Sequence, residues 1–226
     1  MDRLQVAIVG MGGKGRQHTS ILKSFHNVEM VAVCDPVKAV RSSAAKEFNV
    51  ESQYETIEEL LNNVCLNAVF AATPPDLNAK TALPCLERGV NTFLEKPPGM
   101  TTAETLALQE ASVRTGAKAM VGLNRRFHPS IILGKQLIDQ RGPTVQIVGE
   151  FHKSMTVLET STRFKDSVLD NTLAMNNIHS VDLICALAGS PVRKVHSFVR
   201  RALHKNRDVL GALILFENDC VAQLIF

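Results

Sequence analysis

LQVAIVGMGGKG, residues 4–15, is the stretch that decides how the rest of the chain is read. After Gln5 it is an unbroken apolar run, the pattern of a short strand buried on both faces. The run ends on Gly10, and Gly10, Gly12 and Gly15 stand at GxGxxG spacing. Apolar residues at helical spacing follow over 18–25. That order of strand, glycine turn and helix gives the pattern its meaning. Gly10 permits a tight turn, Gly12 lets the backbone approach a pyrophosphate at the free N–H groups of the helix start, and Gly15 lets helix and strand pack closely. Gly10, Met11, Gly12, Gly13 and Lys14 are therefore expected to hold a dinucleotide; a turn of purely structural use is the alternative.

Working outward, the same grammar repeats to residue 124. Strands are expected at 28–35, 66–74, 90–96 and 117–124, and helices at 36–48, 56–63, 76–89 and 101–116. Thr56 with Glu59, and Thr101 with Glu104, stand at capping-box spacing, and Gly116 is a helix stop. Pro36 sits where a first helical turn tolerates it, whereas Pro84 is expected to kink or divide its helix. Strands apolar on both faces, alternating with helices, imply an α/β fold with a doubly wound parallel sheet. Asp35 ends the second strand, 25 positions after Gly10. An acid there accepts hydrogen bonds from the adenosine ribose and repels a 2′-phosphate, which favours NAD over NADP. Lys38 and Arg41 lie close enough to tolerate that phosphate, and a solvated turn aspartate before Pro36 is the plain alternative.

After residue 124 the pattern changes. A helix is expected over 129–140, a long strand over 144–155, a loop over 156–167, a helix over 169–189, and strands over 193–203, 209–217 and 220–226, the last two joined by an Asn218-Asp219 turn. This is a second, α+β domain with an open, mostly antiparallel sheet. The sequence stops inside the last strand, so an open edge and an apolar face are expected there, covered by another subunit or by chain that is missing.

Composition narrows the function. Of 226 residues, 45% are hydrophobic and 21% charged, which is globular and large enough for a core. A net charge of +3 without a basic block, one Tyr and no Trp argue against nucleic-acid binding. No apolar run is long enough to span a membrane, and the first ten residues do not resemble a signal peptide. Five scattered cysteines form no CxxC pair, so neither a metal site nor a disulfide framework is indicated; they are expected to be small buried hydrophobes in a reducing cytoplasm.

FLEKPPGM, residues 93–100, brings a carboxylate and an ammonium to the tip of a buried strand and then blocks the strand with two prolines. Together with GMGGKGRQH, VAVCDP, AATPPDLNAKTALPCLERGVN, GLNRRFHP and NIHSVDLICALAG, it resembles the Gfo/Idh/MocA oxidoreductases along almost the whole chain. The resemblance implies an N-terminal NAD(P)-binding Rossmann domain, 1–124. It also implies a shortened C-terminal α+β domain, 125–226, that binds a sugar, cyclitol or related polyol and forms the subunit contact of a homo-oligomer. By the same resemblance Lys96 contacts the reacting hydroxyl and Glu95 the nicotinamide ribose, with a cis Lys96-Pro97 bond fixing the bend. Thr73, Pro74 and Asn78 face the cofactor, Asn78 standing where the family often has histidine. On the second-domain helix, His179 and Asp182 match the family pattern, but its leading aspartate is Met175 here, which carries no proton. Asn176 and Asn171 are nearby, and Arg125 or Arg126 reaches substrate or cofactor; Arg125 joins Asn176, His179 and Asp182 as the expected substrate set. Lys96 and His179 would remove the hydroxyl proton while hydride passes to NAD. No metal is implied. Two readings follow: a cytoplasmic NAD-dependent polyol dehydrogenase, impaired to whatever extent Met175 costs it, or a non-catalytic NAD-binding sensor or interaction protein, with an inert fragment a blander third.

Overall fold

The structure is a computed structural model that describes residues 3–160 and 164–226. The chain folds as two compact units, Met1–Gly122 and Leu123–Phe226, and each is described on its own.

In the first unit, β1 (Leu4–Val9), β2 (Val28–Cys34), β3 (Ser52–Tyr54), β4 (Ala68–Ala71), β5 (Asn91–Leu94) and β6 (Ala119–Val121) form one sheet in the order β3-β2-β1-β4-β5-β6, every pair parallel. The crossovers are α1 (Gly13–Leu22), α2 (Lys38–Phe48), α3 (Ile57–Asn63), α4 (Asn78–Glu87) and α5 (Thr102–Thr115). The apolar run of β1 explains why both faces are covered. Val6 and Ile8 pack with Leu22, Val33 and Phe48, while Ala7 and Val9 pack with Ala32, Leu60 and Val69. Each fully buried large aliphatic contributes roughly 1.5–3 kcal/mol. Strand order reverses between β1 and β4, which opens a crevice at their carboxyl ends.

Several local expectations meet the structure unevenly. Thr101 and Glu104 make the full capping box, and Gly116 closes α5 in the left-handed conformation. At α3, Thr56 caps the Glu59 N–H, but the Glu59 carboxylate turns to the Glu55 N–H instead of completing a box. Pro84 does not divide α4, which continues through it for three more residues; lacking an N–H, it forgoes one hydrogen bond of the helix. Three-residue β3 is too short to show a period and goes unread in the sequence. Cys34 and Cys85 are core residues whose thiols burial pushes up to about 12, but Cys65 is exposed, contrary to expectation.

In the second unit, β7 (Gln146–Glu150), β8 (Val192–Arg200), β9 (Val209–Phe216) and β10 (Val221–Ile225) form a sheet ordered β7-β10-β9-β8. Only β7 and β10 pair in parallel. The last strand is therefore not an edge. β10 is paired on both sides, because β7 returns beside it, and the edges are β7 and β8. Helix α6 (Pro129–Asp139) precedes β7, and α9 (Ile178–Ala188) packs Ile184 and Ala188 on Ile214, Phe216, Ala222 and Leu224. The expected 144–155 strand is only β7, since Met155 already opens α7 (Met155–Glu159). The expected 156–167 loop contains most of α7 and the start of α8 (Asp166–Leu169), and its residues 161–163 lie outside the described residues. The expected 169–189 helix is α9 preceded by a π-helical turn, Leu173–Asn177. Among the described residues, no helix is long and apolar enough to cross a membrane.

Candidate functional site

All six strands of the first sheet run in parallel, so the residues that follow them collect along one edge. Gly10 follows β1, Asp35 β2, Thr73 and Pro74 β4, and Glu95 and Lys96 β5. Gly10 has φ +89°, and a Cβ there would stand 2.6 Å from the Ala72 carbonyl oxygen, so glycine is required twice over. A Cβ on Gly15 would lie 1.9 Å from the Gly10 carbonyl oxygen, which is the close packing expected of that position. Gly12 differs. Its φ of −69° suits any residue, and a Cβ there or on Gly13 would meet no protein atom. The fold does not need glycine at these two positions. They leave open space before the start of α1, whose N-cap has no side-chain cap and whose first turn has no acid. That arrangement fits a dinucleotide's pyrophosphate.

Met11 turns its side chain fully into the core and gives its N–H to Asp35 Oδ2 at 2.8 Å. Asp35 Oδ1 accepts the Val37 N–H at 2.9 Å. The aspartate expected to read a ribose thus also holds the glycine turn. Arg41 Nη1 donates to the Asp35 carbonyl at 2.7 Å.

Asn78, expected against the cofactor, is fully buried at the start of α4. Its Nδ2 donates to the carbonyls of Glu95 and Pro97, both at 2.9 Å, and its Oδ1 accepts the Thr73 hydroxyl at 2.9 Å. It clamps the ends of β4 and β5 together and presents no surface to a ligand. The Lys96-Pro97 bond it brackets is cis, as expected. Downstream, Glu104 Oε2 accepts the N–H groups of Met100 and Thr101, fastening this turn to α5. Lys96 is half-buried where β5 ends.

His18 was not singled out in the sequence. From α1 its Nε2 lies 2.9 Å from Glu95 Oε1. Burial raises the Glu95 carboxyl, but the His18 hydrogen bond and charge, with Lys14 and the Lys96 N–H, outweigh it and hold the group below its usual range. The signal was present in GMGGKGRQH, where the histidine falls three residues past Gly15.

In the second unit, Asp182 on α9 is gripped by Arg126 through both oxygens, Nε to Oδ2 at 2.9 Å and Nη2 to Oδ1. Arg125 stands 4.5 Å over the Phe151 ring. The arginine pair is thus divided: Arg126 anchors the 124–127 turn to α9, and Arg125 packs on β7's end. His179 is half-buried on α9, and Met175, in the π turn, is 1% exposed. Residues of the π turn lie between them in the chain, so the spacing of Met175 to His179 is not that of a regular α-helix. Asn176 Nδ2 and Asn177 Oδ1 are buried without hydrogen-bond partners among the described residues and border a small cavity with Thr172 and Arg207.

Residues 4–123 match the family model GFO_IDH_MocA, described as an oxidoreductase family with an NAD-binding Rossmann fold. The chain belongs to the Gfo/Idh/MocA family. Among its curated relatives, a 4-carboxy-2-hydroxymuconate-6-semialdehyde dehydrogenase of a Sphingobium species is 27% identical over 84% of this chain and 61% of its own length. A scyllo-inositol 2-dehydrogenase (NAD(+)) of Bacillus subtilis is 30% identical over 61% of this chain and 40% of its own. The chain therefore spans between two fifths and about three fifths of the length of these Gfo/Idh/MocA relatives. In fold, a myo-inositol 2-dehydrogenase from Lactobacillus plantarum superposes with a TM-score of 0.85 at 21% identity, over 99% of this chain and 69% of that one.

Proposed function

We propose that this chain binds NAD and serves hydride transfer between its nicotinamide and a secondary alcohol of a sugar, cyclitol or related polyol. The carrying observation is the gathering of the glycine turn, Asp35, Thr73 and the Glu95-Lys96 pair at the carboxyl ends of β1, β2, β4 and β5, where doubly wound sheets bind dinucleotides. Gly10 to Lys14 would take the pyrophosphate. Asp35 would read the adenosine ribose and favour NAD over NADP. Thr73 and Pro74 would border the cofactor, and Glu95 would accept a nicotinamide-ribose hydroxyl. In this reading Asn78 shapes the strand tips without touching the cofactor.

Bound NAD supplies the hydride acceptor. The chain's own work is to hold the alcohol and take its proton, and Lys96, at the tip of β5, is the group proposed for both. Its half-burial limits its motion, and the Asn78 clamp fixes the backbone it hangs from. From the second unit, Arg125, Asn176, His179 and Asp182 are carried forward as proposed substrate contacts, His179 as a further proton carrier. Asp182 would act chiefly by fixing Arg126. The name of one relative, a scyllo-inositol 2-dehydrogenase, supports a CH–OH carbon as the reacting centre, whereas that of the semialdehyde dehydrogenase supports only dehydrogenation in general.

Met175 favours a second reading, a non-catalytic NAD-binding protein, because a buried thioether stands where the family pattern has an acid. Self-association is proposed through the open face of the second sheet, where Phe198, Leu213 and Ile225 are exposed; light scattering tests it. A screen for NADH formation against sugars and inositols separates the two functional readings. Turnover that Lys96→Ala abolishes supports the dehydrogenase; NADH binding with no turnover on any polyol supports the second reading; turnover unaffected by Lys96→Ala contradicts the role given to Lys96.

A further inference from the structure

We propose that His18 is a positioning residue that holds the Glu95 carboxylate in place, tying the helix behind the glycine turn to the strand tip that carries the Glu-Lys pair. The proposal rests on the cofactor reading above and adds a residue to it. His18 Nε2 and Glu95 Oε1 are 2.9 Å apart although 77 positions separate them in sequence. The side chains are 21% and 16% exposed, so water competes weakly for the bond.

Both partners are held from other directions. The His18 ring meets Phe93 edge-on, centroids 5.2 Å apart, and lies 6.1 Å from Phe70. Phe70 and Phe93 are register partners on β4 and β5 and stack at 4.9 Å. Thr19, next to His18, donates its hydroxyl to the Gly15 carbonyl at 2.8 Å, a bond within α1 from the turn that carries His18 to the one that begins the helix. Glu95 gives its N–H to the Ala71 carbonyl at 2.9 Å, and its carbonyl accepts from Asn78. With its backbone fixed on both sides, Glu95 retains only side-chain rotation, and His18 removes that. A carboxylate bound at one oxygen still has acceptor sites for a ribose hydroxyl. The aromatic pair thus aims the imidazole, and the imidazole aims the carboxylate.

A double-mutant cycle tests this, with His18→Leu, Glu95→Gln and the double variant. His18→Asn, polar but too short to reach, and His18→Gln, long enough to donate, separate the hydrogen bond from the packing. Two quantities are read on each: the NADH dissociation constant by fluorescence titration, and urea unfolding of the unliganded chain. His18→Leu and His18→Asn should each weaken NADH binding about tenfold. His18→Gln should restore most of it, and the double variant should bind no more weakly than Glu95→Gln alone. Multiplying losses in the double variant, unchanged binding in His18→Leu, or no rescue by His18→Gln would overturn the proposal. A wild-type chain that binds no NADH would overturn the cofactor reading itself. In that case the unfolding cycle still decides the link, with coupled effects upholding it and additive effects ending it.

Discussion

The carboxylate of Asp35 reaches back 24 positions to accept the backbone N–H of Met11 at 2.8 Å. The acid proposed to read the ribose is thus also a strut of the turn proposed to hold the pyrophosphate. Replacing it should damage both. Asp35→Ala leaves the buried Met11 N–H, and the Val37 N–H, without their acceptor. It should cost about 1–3 kcal/mol in urea unfolding of the unliganded chain and weaken NADH binding in titration. A variant as stable as wild type would show that the strut is dispensable.

The glycines of the turn divide into two kinds, and substitution should separate them. Gly15→Ala drives a methyl group into the Gly10 carbonyl and should lower unfolding stability sharply or prevent folding. Gly12→Ala meets no protein atom, so unliganded stability should change by less than about 1 kcal/mol. Its NADH affinity should nonetheless fall at least about tenfold, since the methyl occupies the space proposed for the pyrophosphate.

Much of this was legible in the sequence for a physical reason. β1, β4 and the carboxyl-terminal half of β2 are covered on both faces, and such strands must be written as apolar runs with marked ends. The glycine turn and the Lys96-Pro97 bend carry residue types that few other conformations need. What stayed hidden depended on contacts distant in sequence. His18 and Glu95 are 77 positions apart, and the Asn78 clamp closes on Pro97 19 positions away. In the second unit the 173–177 π turn precedes α9, and a π turn has no residue signature that local pattern reading detects. The flanking of β10 by β7 required a register that no local pattern encodes.

Acid should expose the His18 link. Glu95 titrates below its ordinary 4.5 in the folded chain, because the hydrogen bond and charges around it outweigh its burial. A depressed carboxyl contributes stability above the unfolded value, and that contribution is lost as pH falls through the folded one. Unfolding stability of the wild type should therefore drop more steeply below about pH 4.5 than that of Glu95→Gln. Parallel acid limbs in urea unfolding would show that the pair contributes nothing.

Met175→Asp would restore the acid of the family pattern on paper. With Met175 only 1% exposed, the substitution should instead destabilise the chain by about 3 kcal/mol, from lost packing and a buried carboxyl. Thermal unfolding checks this. A stable Met175→Asp chain with faster polyol turnover would mean that the π turn rearranges to present the acid.

Calorimetric titration of the unmodified chain with NADH tests the central claim most directly. The account predicts saturable binding at one site per chain, strongly weakened in Gly12→Ala while that variant stays folded. No saturable heat, or equal affinity in wild type and Gly12→Ala, would contradict a dinucleotide site at the carboxyl edge of this sheet.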